Sequence, residues 1–431
     1  MEMKLLLSES DLEDIRDRRW PNISRKNNEL TSYVSEIVED VKRRGDEAAL
    51  EYTERFDKVK LSVENLRVSR EEVNNAYSKT TKDQVAALKL ALKRLKAVER
   101  RRIEGLEFDH FIDGVTIRSR VRAIGSCGCY VPGGTAAYPS TLIMNVVPAK
   151  VAGVKRIVVT TPPQKDGGVN PLTLVAADVC RVDEIYRLGG IQAIAALAYG
   201  TETIKPVEKI TGPGNIYVTE AKEAVSGDVS IDKPAGPSEI LIIADDTADP
   251  LLVALDIISQ TEHGPEGVSG LVTTSRSLAN NVNNLLNKMV GSIPNGDLVS
   301  AVLKENGFIY TYKTLKEAID FTNEFAPEHL EIMTEEPLKV AEQVSSAGLI
   351  LLGEYSPVAA TDYCLGVNHV LPTGGYGRIN SGLTVLDYLK VVNIVECSRE
   401  GLDKVRGAID ALSNAEGLSN HGRAVEGRFK T

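Results

Sequence analysis

The sequence has few of the features that mark secreted, membrane-spanning or nucleic-acid-binding proteins. Its five cysteines include no Cys-x-x-Cys pair, so neither a disulfide framework nor a four-thiolate zinc site is expected. No run of about 18 or more apolar residues occurs, and the first apolar run, 5–7, is too short for the core of a signal peptide. Acidic residues outnumber basic residues by 60 to 50, which disfavours a nucleic-acid-binding surface. We therefore expect a cytoplasmic protein that binds neither nucleic acid nor membrane.

The order of the predicted elements indicates an α/β fold. A chain of 431 residues, 42% hydrophobic and 26% charged, is long enough for more than one structural unit. Near the start, Val34, Ile37 and Val41 recur at helical spacing. From Val121 onward short β-branched runs alternate with helices, as in βαβ units, so we predict two parallel sheets. The predicted strands of these sheets are 156–161, 184–188, 239–244, 270–274, 308–312 and 349–352.

The segment between the two predicted sheets, 232–238, is a candidate hinge. It reads DKPAGPS, is rich in Pro and Gly, and lacks apolar periodicity. Because clefts between domains are favoured ligand sites, this segment predicts a site nearby. Beyond the second sheet a last apolar run, 391–395, precedes a polar helical tail.

Two glycine-rich turns are weak candidates for binding a cofactor. The turn 212–217, GPGNIY, follows a strand-like segment and opens a helix, but Tyr217 stands where the dinucleotide fingerprint needs glycine. The free backbone N–H groups at such a helix start can still hold a phosphate. A second glycine-rich turn, 130–134, is able to close over a cofactor, although an ordinary turn explains either sequence equally well. Neither a Walker A sequence nor a G-x-S-x-G elbow occurs.

The histidines carry the strongest chemical signal. There are five, and all except His110 lie near an acidic or amide side chain. The four combinations are Gln260 with His263, Glu328 with His329, Asp362 with His369, and Glu416 with His421. One such histidine is more often structural than a ligand, but four in Pro- and Gly-marked turns indicate a shared site. Imidazole with carboxylate or amide oxygens suits zinc.

Spacing alone leaves the roles of these histidines open. It does not separate the histidines that bind the metal from the one that moves protons. The adjacent residues Glu328 and His329 can act as a pair of bases that activates a hydroxyl group or a water molecule.

Eight sequence blocks, in chain order, resemble one family, the histidinol dehydrogenases. The resemblance spans most of the chain, although the first hundred or so residues match only in their helical character. The blocks are YVPGG from Tyr130, GGIQAIAALAYGT from Gly189, KITGPGNIYVTEAK from Lys209, AGPSE from Ala235, QTEH from Gln260, FAPEHLE from Phe325, TDYCLGVNHVLPT from Thr361 and EGLSNH from Glu416.

The resemblance implies a zinc-containing, NAD-dependent enzyme of histidine biosynthesis. Such an enzyme oxidises L-histidinol to L-histidine through histidinaldehyde in two hydride transfers. The implied fold has two Rossmann-like parallel-sheet domains that lack the usual glycine fingerprint, with a helical N-terminal arm and a C-terminal tail. The implied divisions are an arm of 1–26, a first Rossmann-like domain of 27–110 with 239–384, a second one on the NAD side of 111–238, and a tail of 385–431.

The resemblance also implies roles for individual residues. One zinc ion per subunit is expected on Gln260, His263, Asp362 and His421. His329 is similar to the base that takes the hydroxyl proton, and Glu328 to the residue that activates water for the aldehyde. Residues expected to hold the substrate are Ser238, His369 and Glu416, together with His329 and the four zinc ligands. Residues expected to contact NAD are Tyr130, Gln192 and Asn215.

The family is a homodimer with crossed tails, so the resemblance implies that Glu416 and His421 complete the partner's site. A tail folded back on its own chain remains an alternative. Manganese or cobalt would suit the same ligands as zinc.

Four residues beside the expected site depart from the usual family pattern, which keeps the substrate open. They are Gly264, Val358, Thr361 and Val367. The alternative within the class is a dehydrogenase of another polar alcohol, such as a sulfonated diol. From other classes, the alternatives are a zinc hydrolase, which would turn over without NAD, and a protein that clamps an amine ligand between its domains without catalysis.

Overall fold

The computed structural model describes residues 5–8, 12, 13, 15, 28–133, 137–233, 236–262 and 264–430. It contains two five-stranded parallel sheets and a three-stranded antiparallel sheet, surrounded by helices. The predicted α/β class with two parallel sheets is confirmed. Among the described residues no helix is both long and apolar enough to span a bilayer.

Residues 28–102 form five helices. They are Asn28–Arg44 (α1), Asp46–Asp57 (α2), Val63–Leu66 (α3), Arg70–Ala76 (α4) and Lys82–Arg102 (α5), with a 3-10 turn at Tyr77–Lys79. The sequence sets their starts, because Ser69 with Glu72 and Thr81 with Gln84 form reciprocal caps at the first turns of α4 and α5. The apolar stripe of α1 predicted from Val34, Ile37 and Val41 is buried.

These helices pack on the sheet of the second domain. Val34 and Val41 share a core with Ile194 of that domain, and Leu95 shares another with Cys127. The packing therefore groups residues 28–102 with 111–238, whereas the expected division joined 27–110 to 239–384. The periodicity of a helix shows that one face is buried but not which sheet covers it, so the sequence alone could not decide this packing.

A two-stranded ribbon leads from the helices into the second domain. Its strands, Phe108–Ile112 (β1) and Val115–Ala123 (β2), pair antiparallel.

The sheet of the second domain consists of Ser126–Tyr130 (β3), Arg156–Thr161 (β4), Glu184–Arg187 (β5), Lys209–Thr211 (β6) and Ser230–Ile231 (β7). The connecting helices are Pro139–Ala152 (α6), Pro171–Val179 (α7), Gly190–Tyr199 (α8) and Ile216–Val225 (α9). The strand order is β5-β4-β3-β6-β7, so the chain reverses its direction of travel across the sheet between β3 and β6. In sheets of this kind ligands bind outside the carboxyl ends of the strands at that point of reversal.

The sheet of the first domain has the same order, β10-β9-β8-β11-β12. Its strands are Glu239–Ala244 (β8), Val268–Thr273 (β9), Gly307–Thr311 (β10), His329–Met333 (β11) and Leu349–Leu352 (β12). The helices are Pro250–Thr261 (α10), Arg276–Met289 (α11), Gly296–Asn306 (α12), Leu315–Phe325 (α13), Pro337–Ala341 (α14) and Val358–Thr361 (α15). All six residues of β8 are buried, as its apolar run predicts for a central strand covered by helices on both faces.

The described part of the N-terminal arm is not helical throughout. Residues 12, 13 and 15 are helical, but residues 5–7 extend beside β10. There the N–H of Leu7 donates to the carbonyl of Ile309 and the N–H of Ile309 donates to the carbonyl of Leu5, at 3.0 and 2.7 Å. The expected helical arm is corrected for these residues, because three leucines in succession suit an added edge strand.

The C-terminal tail continues the small sheet and ends in two helices. After 3-10 turns at Tyr376–Arg378 and Val385–Tyr388, the tail forms Leu389–Cys397 (β13), Arg399–Ala415 (α16) and Ser419–Glu426 (α17), followed by a 3-10 turn at Gly427–Phe429. β13 pairs antiparallel with β2 along its whole length, and α16 packs on α17. Several large apolar side chains of β1 and β13 are exposed, namely Phe108, Phe111, Ile112, Val391, Val392, Ile394 and Val395.

A buried carboxyl group, that of Glu331, lies beside the half-buried carboxyl group of Asp256 between α10 and β11. Glu331 lies inside β11, and one of its oxygens, Oε1, accepts a hydrogen bond of 2.8 Å from the N–H of Val358 at the start of α15. Burial, reinforced by the charge of Asp256, raises the pKa of Glu331 to about 8. Burial also raises the pKa of Asp256 to about 6. A proton on this pair is therefore favoured at neutral pH, because two charged carboxylates this close repel each other.

The carboxyl pair makes stability depend on pH. The folded protein keeps a proton on Glu331 up to about pH 8, whereas the unfolded chain releases it near pH 4. Because the folded state binds more protons in this window, its free energy of unfolding falls as the pH rises. We expect Glu331→Gln to remove the contribution of Glu331 to this fall, on the order of 4 kcal/mol between about pH 5 and about pH 9, since glutamine still accepts from Val358. Urea unfolding of the chelator-treated protein at about pH 5 and about pH 9 measures the fall.

The exposed Glu335 provides the control, and Glu335→Gln should keep the pH dependence of the unmodified protein. An equal loss of stability with rising pH in the Glu331→Gln variant and the unmodified protein would show that the carboxyl pair is not its source.

Candidate active site

The two predicted bases lie at the start of β11. Glu328 and His329 follow Ala326 and Pro327, and Ala326 adopts a left-handed φ of 50° that turns the chain from α13 into the strand. Both side chains are nearly inaccessible, with exposed fractions of 6% for Glu328 and 3% for His329. A charged residue in such a place needs hydrogen bonds to replace its lost water.

Those hydrogen bonds come from the neighbouring strand β8. The backbone N–H of Glu239 donates to Oε2 of Glu328 over 2.8 Å, and the N–H of Glu328 donates back to Oε2 of Glu239 over 3.3 Å. The carbonyl oxygen of Glu239 lies 3.0 Å from Nδ1 of His329. The two bases and Glu239 therefore form one connected group at the amino ends of adjacent parallel strands.

This arrangement fixes which nitrogen of His329 is free. A carbonyl oxygen only accepts hydrogen bonds, so Nδ1 carries a proton, and in the neutral ring Nε2 is the acceptor. Within the described residues Nε2 is buried and has no hydrogen-bond partner. A buried acceptor without a partner is costly, so Nε2 is a candidate to meet a ligand.

Burial and charge act on the pKa values of the pair in different ways. Burial is the main influence on Glu328 and raises its pKa. Burial lowers the pKa of His329, but the combined effect of the Glu328 charge and the hydrogen bonds outweighs it and raises the value to about 9. Without a further cation nearby, the pair thus favours a protonated imidazole next to a carboxylate.

Two of the predicted metal ligands lie on helices that follow strands of the same sheet. Gln260 is in the last turn of α10, and Asp362 caps the end of α15. Within the described residues Oε1 of Gln260 is buried and has no hydrogen-bond partner. His263 lies outside the described residues, and within them no three His, Cys, Asp or Glu side chains form a group that could hold a metal.

His369 links the predicted metal side to the second domain. Its Nδ1 lies 2.8 Å from the carbonyl oxygen of Asp362 and 3.9 Å from the Asp362 carboxylate. Its Nε2 lies 3.1 Å from the hydroxyl of Thr141 in the first turn of α6. The carbonyl requires the proton on Nδ1, so Nε2 of a neutral ring accepts from Thr141. His369 therefore spans from Asp362 to the carboxyl end of β3, where α6 begins.

The other predicted substrate residues lie at two different places. Ser238 is half-buried and directly precedes Glu239, at the end of the candidate hinge. Glu416 and His421 are both exposed on the C-terminal tail, in contrast to the burial of Glu328, His329 and Gln260. The start of α16 meets the turn between β1 and β2, where Lys404 forms an ion pair of 3.0 Å with Asp113.

Two of the predicted NAD contacts come together near the start of α8. The N–H of Gly190 donates to the hydroxyl oxygen of Tyr130 over 3.2 Å, and burial raises the pKa of that hydroxyl to about 12. Gln192 is fully buried, and within the described residues neither its amide oxygen nor its amide nitrogen has a hydrogen-bond partner. A buried primary amide without partners is a candidate ligand contact.

Asn215, the third predicted NAD contact, follows β6, the strand next to β3. It caps α9 by accepting from the N–H of Val218 over 3.1 Å. The turn that carries Asn215 begins at Gly212, whose φ of 123° and closeness to the Tyr130 backbone leave no space for a Cβ atom. The three predicted NAD contacts thus lie at the carboxyl edge of the second sheet, where such sheets bind ligands.

Sequence reasoning missed Glu239 and Glu331. Each is a carboxylate within a mostly apolar strand whose residues are all buried. That contrast is a usable signal, because a buried carboxylate must have a specific partner.

Comparison with known proteins identifies the family. The family model for histidinol dehydrogenase matches residues 21–429. A protein named histidinol dehydrogenase from Methanothermobacter thermautotrophicus is 46% identical over 397 residues, which cover 92% of this chain and 93% of the relative. The protein of the same name from Bacillus subtilis is 45% identical over 395 residues, 92% of each chain.

A solved structure supports the same assignment over the whole fold. The crystal structure of histidinol dehydrogenase from Elizabethkingia anophelis superposes with a TM-score of 0.93 at 34% identity, covering 100% of this chain and 98% of that one. Sequence and structure agree, and the chain belongs to the histidinol dehydrogenase family of oxidoreductases.

Proposed function

We propose that this protein oxidises L-histidinol to L-histidine through histidinaldehyde in the cytoplasm, with NAD as hydride acceptor and one zinc ion per subunit. The observation that carries the proposal is the buried pair Glu328 and His329. The Nε2 atom of His329 has no hydrogen-bond partner within the described residues, while its Nδ1 atom is held by the carbonyl oxygen of Glu239. That is the arrangement of a base aimed at a ligand.

The residues present fit a zinc ion. Oε1 of Gln260 is buried and has no hydrogen-bond partner in the described part of the chain. His263 follows Gln260 by three residues in the sequence. Asp362, on the neighbouring helix, contributes a carboxylate. Together with His421 these side chains form a mixed nitrogen and oxygen set that zinc accepts. When bound, zinc would anchor the imidazole and amino nitrogens of histidinol, and its charge would lower the pKa of His329.

The residues present also fit a nicotinamide dinucleotide. The buried amide of Gln192 without a partner in the described residues and the turn ending at Asn215 lie at the reversal point of the second sheet, which favours a nucleotide there. The start of α9 supports this, because its free N–H groups suit a phosphate. NAD supplies the acceptor for the hydride in both oxidation steps.

The chain's own residues account for the proton transfers. His329 takes the hydroxyl proton of histidinol at Nε2 in the first step. Glu328 takes a proton from the water that hydrates the aldehyde, because burial makes its carboxylate more basic than an exposed one. His369 and Ser238 hold the substrate beside the pair. The burial of Glu328 and His329 excludes other water, which protects the aldehyde.

The tail favours a homodimer with shared active sites. Glu416 and His421 are exposed, and the two tail helices α16 and α17 pack on each other. Exposed side chains on the tail are able to reach Glu328 and His329 of a second subunit. The exposed apolar side chains of β1 and β13 would be covered by a partner. Glu416 and His421 would then complete the partner's site.

The relatives favour histidinol over another polar alcohol. The relatives from Methanothermobacter thermautotrophicus, Bacillus subtilis and Elizabethkingia anophelis carry the name histidinol dehydrogenase. Their matches cover more than nine tenths of this chain, although Gly264, Val358, Thr361 and Val367 depart from the usual family pattern. The family match also favours a dehydrogenase over a zinc hydrolase or a binding protein.

Replacing His329 separates catalysis from metal binding. We expect His329→Ala to lower the rate of NADH formation at least about a hundredfold while retaining about one zinc per subunit. Gln260→Ala is the matched comparison on the metal side, and it should lose zinc. Atomic absorption and NADH absorbance measure the two properties. Loss of zinc from His329→Ala would contradict the role of this residue as a base.

Mixing two inactive variants tests the shared site. His421→Ala and His329→Ala subunits should each be inactive alone, but a heterodimer has one complete site if the tails cross. We expect roughly a quarter of the unmodified activity after the subunits are mixed and re-associated in equal amounts. The control is each variant treated alone. A mixture with no more activity than either variant would contradict crossed tails.

A further inference from the structure

We propose that Glu239 is a positioning residue that holds Glu328 and His329 in their reactive geometry. The inference rests on the proposed function, in which these two residues are the bases. Glu239 is the last residue of the AGPSE block and the first residue of β8.

The side chain of Glu239 holds two loops at once. Its Oε2 accepts from the N–H of Glu328 over 3.3 Å, and its Oε1 accepts from the N–H of Gly374 over 2.9 Å. The Gly374 loop is tied in turn to the candidate hinge, because the N–H of Gly236 donates to the hydroxyl of Thr373 over 2.5 Å. The carboxylate therefore joins the catalytic turn to a loop that also contacts the hinge.

The backbone of Glu239 holds the reactive atoms themselves. Its N–H donates to Oε2 of Glu328 over 2.8 Å, and its carbonyl oxygen lies 3.0 Å from Nδ1 of His329. The side chain and backbone of one residue thus fix the position of Glu328 and the tautomer of His329. Displacing β8 relative to β11 would move both bases together.

A carboxylate suits this position better than an amide. Two N–H donors from different segments need two acceptor oxygens, and glutamine offers one acceptor oxygen and one donating NH2 group. Glu239 is only 4% exposed, so water cannot replace a lost hydrogen bond there. In Glu239→Gln either Glu328 or Gly374 would lose its acceptor, although the side chain fills the same space.

The test is Glu239→Gln in the full-length, zinc-loaded enzyme. We expect kcat for NADH formation from histidinol to fall about ten- to a hundredfold, because small displacements of a base have effects of this size. The KM for histidinol should stay within about threefold and zinc should remain bound, because the side-chain hydrogen bonds of Glu239 described above go to Glu328 and Gly374, neither of which is a proposed zinc ligand. A residue needed only for folding would not change kcat while leaving KM and zinc content intact.

Glu99 provides a matched control. It is also a buried glutamate whose carboxylate accepts from a backbone N–H, that of Val385 over 2.6 Å, but it lies at the end of α5. Glu99→Gln should change the melting temperature about as much as Glu239→Gln and leave kcat within about twofold.

The outcomes separate this inference from the proposed function. An active unmodified enzyme with unchanged kcat in Glu239→Gln overturns the inference alone, as does a variant whose loss of activity follows loss of zinc. An unmodified enzyme that forms no NADH from histidinol overturns the proposed function and this inference with it. If Glu239→Gln fails to fold, Glu239→Asp replaces it. Aspartate keeps the charge but is one methylene too short to reach both N–H groups, so the same fall in kcat supports the inference and an unchanged kcat overturns it.

Discussion

The reciprocal hydrogen bonds between Glu239 and Glu328 join the amino ends of two central parallel strands. They depend on the register of β8 and β11, which in turn depends on the apolar packing of both strands. Carboxylates inside that core need these partners, because water does not reach them. The candidate active site is therefore built into the centre of the sheet and not added on a peripheral loop.

The two sheets contribute opposite edges to the site. The predicted NAD contacts lie at the carboxyl edge of the second sheet, the usual place in such folds. The two bases lie at the amino edge of the first sheet. Gln260 and Asp362 reach the same edge because α10 and α15 run back after their strands, and both residues are at the ends of those helices. His369 bridges the two edges through Asp362 and Thr141.

Much of the fold could be predicted from local pattern. The strands at 156–161, 239–244 and 349–352 have the predicted bounds, because a short apolar run between turn residues has few alternatives. The sheet on which the first helices pack could not be predicted, since periodicity does not identify the covering sheet. The extension of Leu5 to Leu7 beside β10 was also missed, because edge pairing depends on a distant strand.

The candidate site was predictable in its residue types more than in its geometry. Pairing of histidines with acidic or amide neighbours singled out His329 and Glu328, which the structure buries together. The same reasoning passed over Glu239, because its hydrogen-bond partners Glu328, His329 and Gly374 lie 89 to 135 residues away in the sequence, and sequence spacing carries no trace of such contacts. It also left open whether the C-terminal tail completes the site of its own chain or that of a partner, since this depends on the position of a second chain.

The most direct test of the central claim is the number of NADH molecules formed for each histidinol consumed, measured with and without prior chelation. Two oxidations at a site with two bases and a metal predict two NADH per histidinol, with the rate lost after chelation and restored by zinc. One NADH per histidinol would contradict the second step assigned to Glu328. No NADH would contradict the proposed substrate.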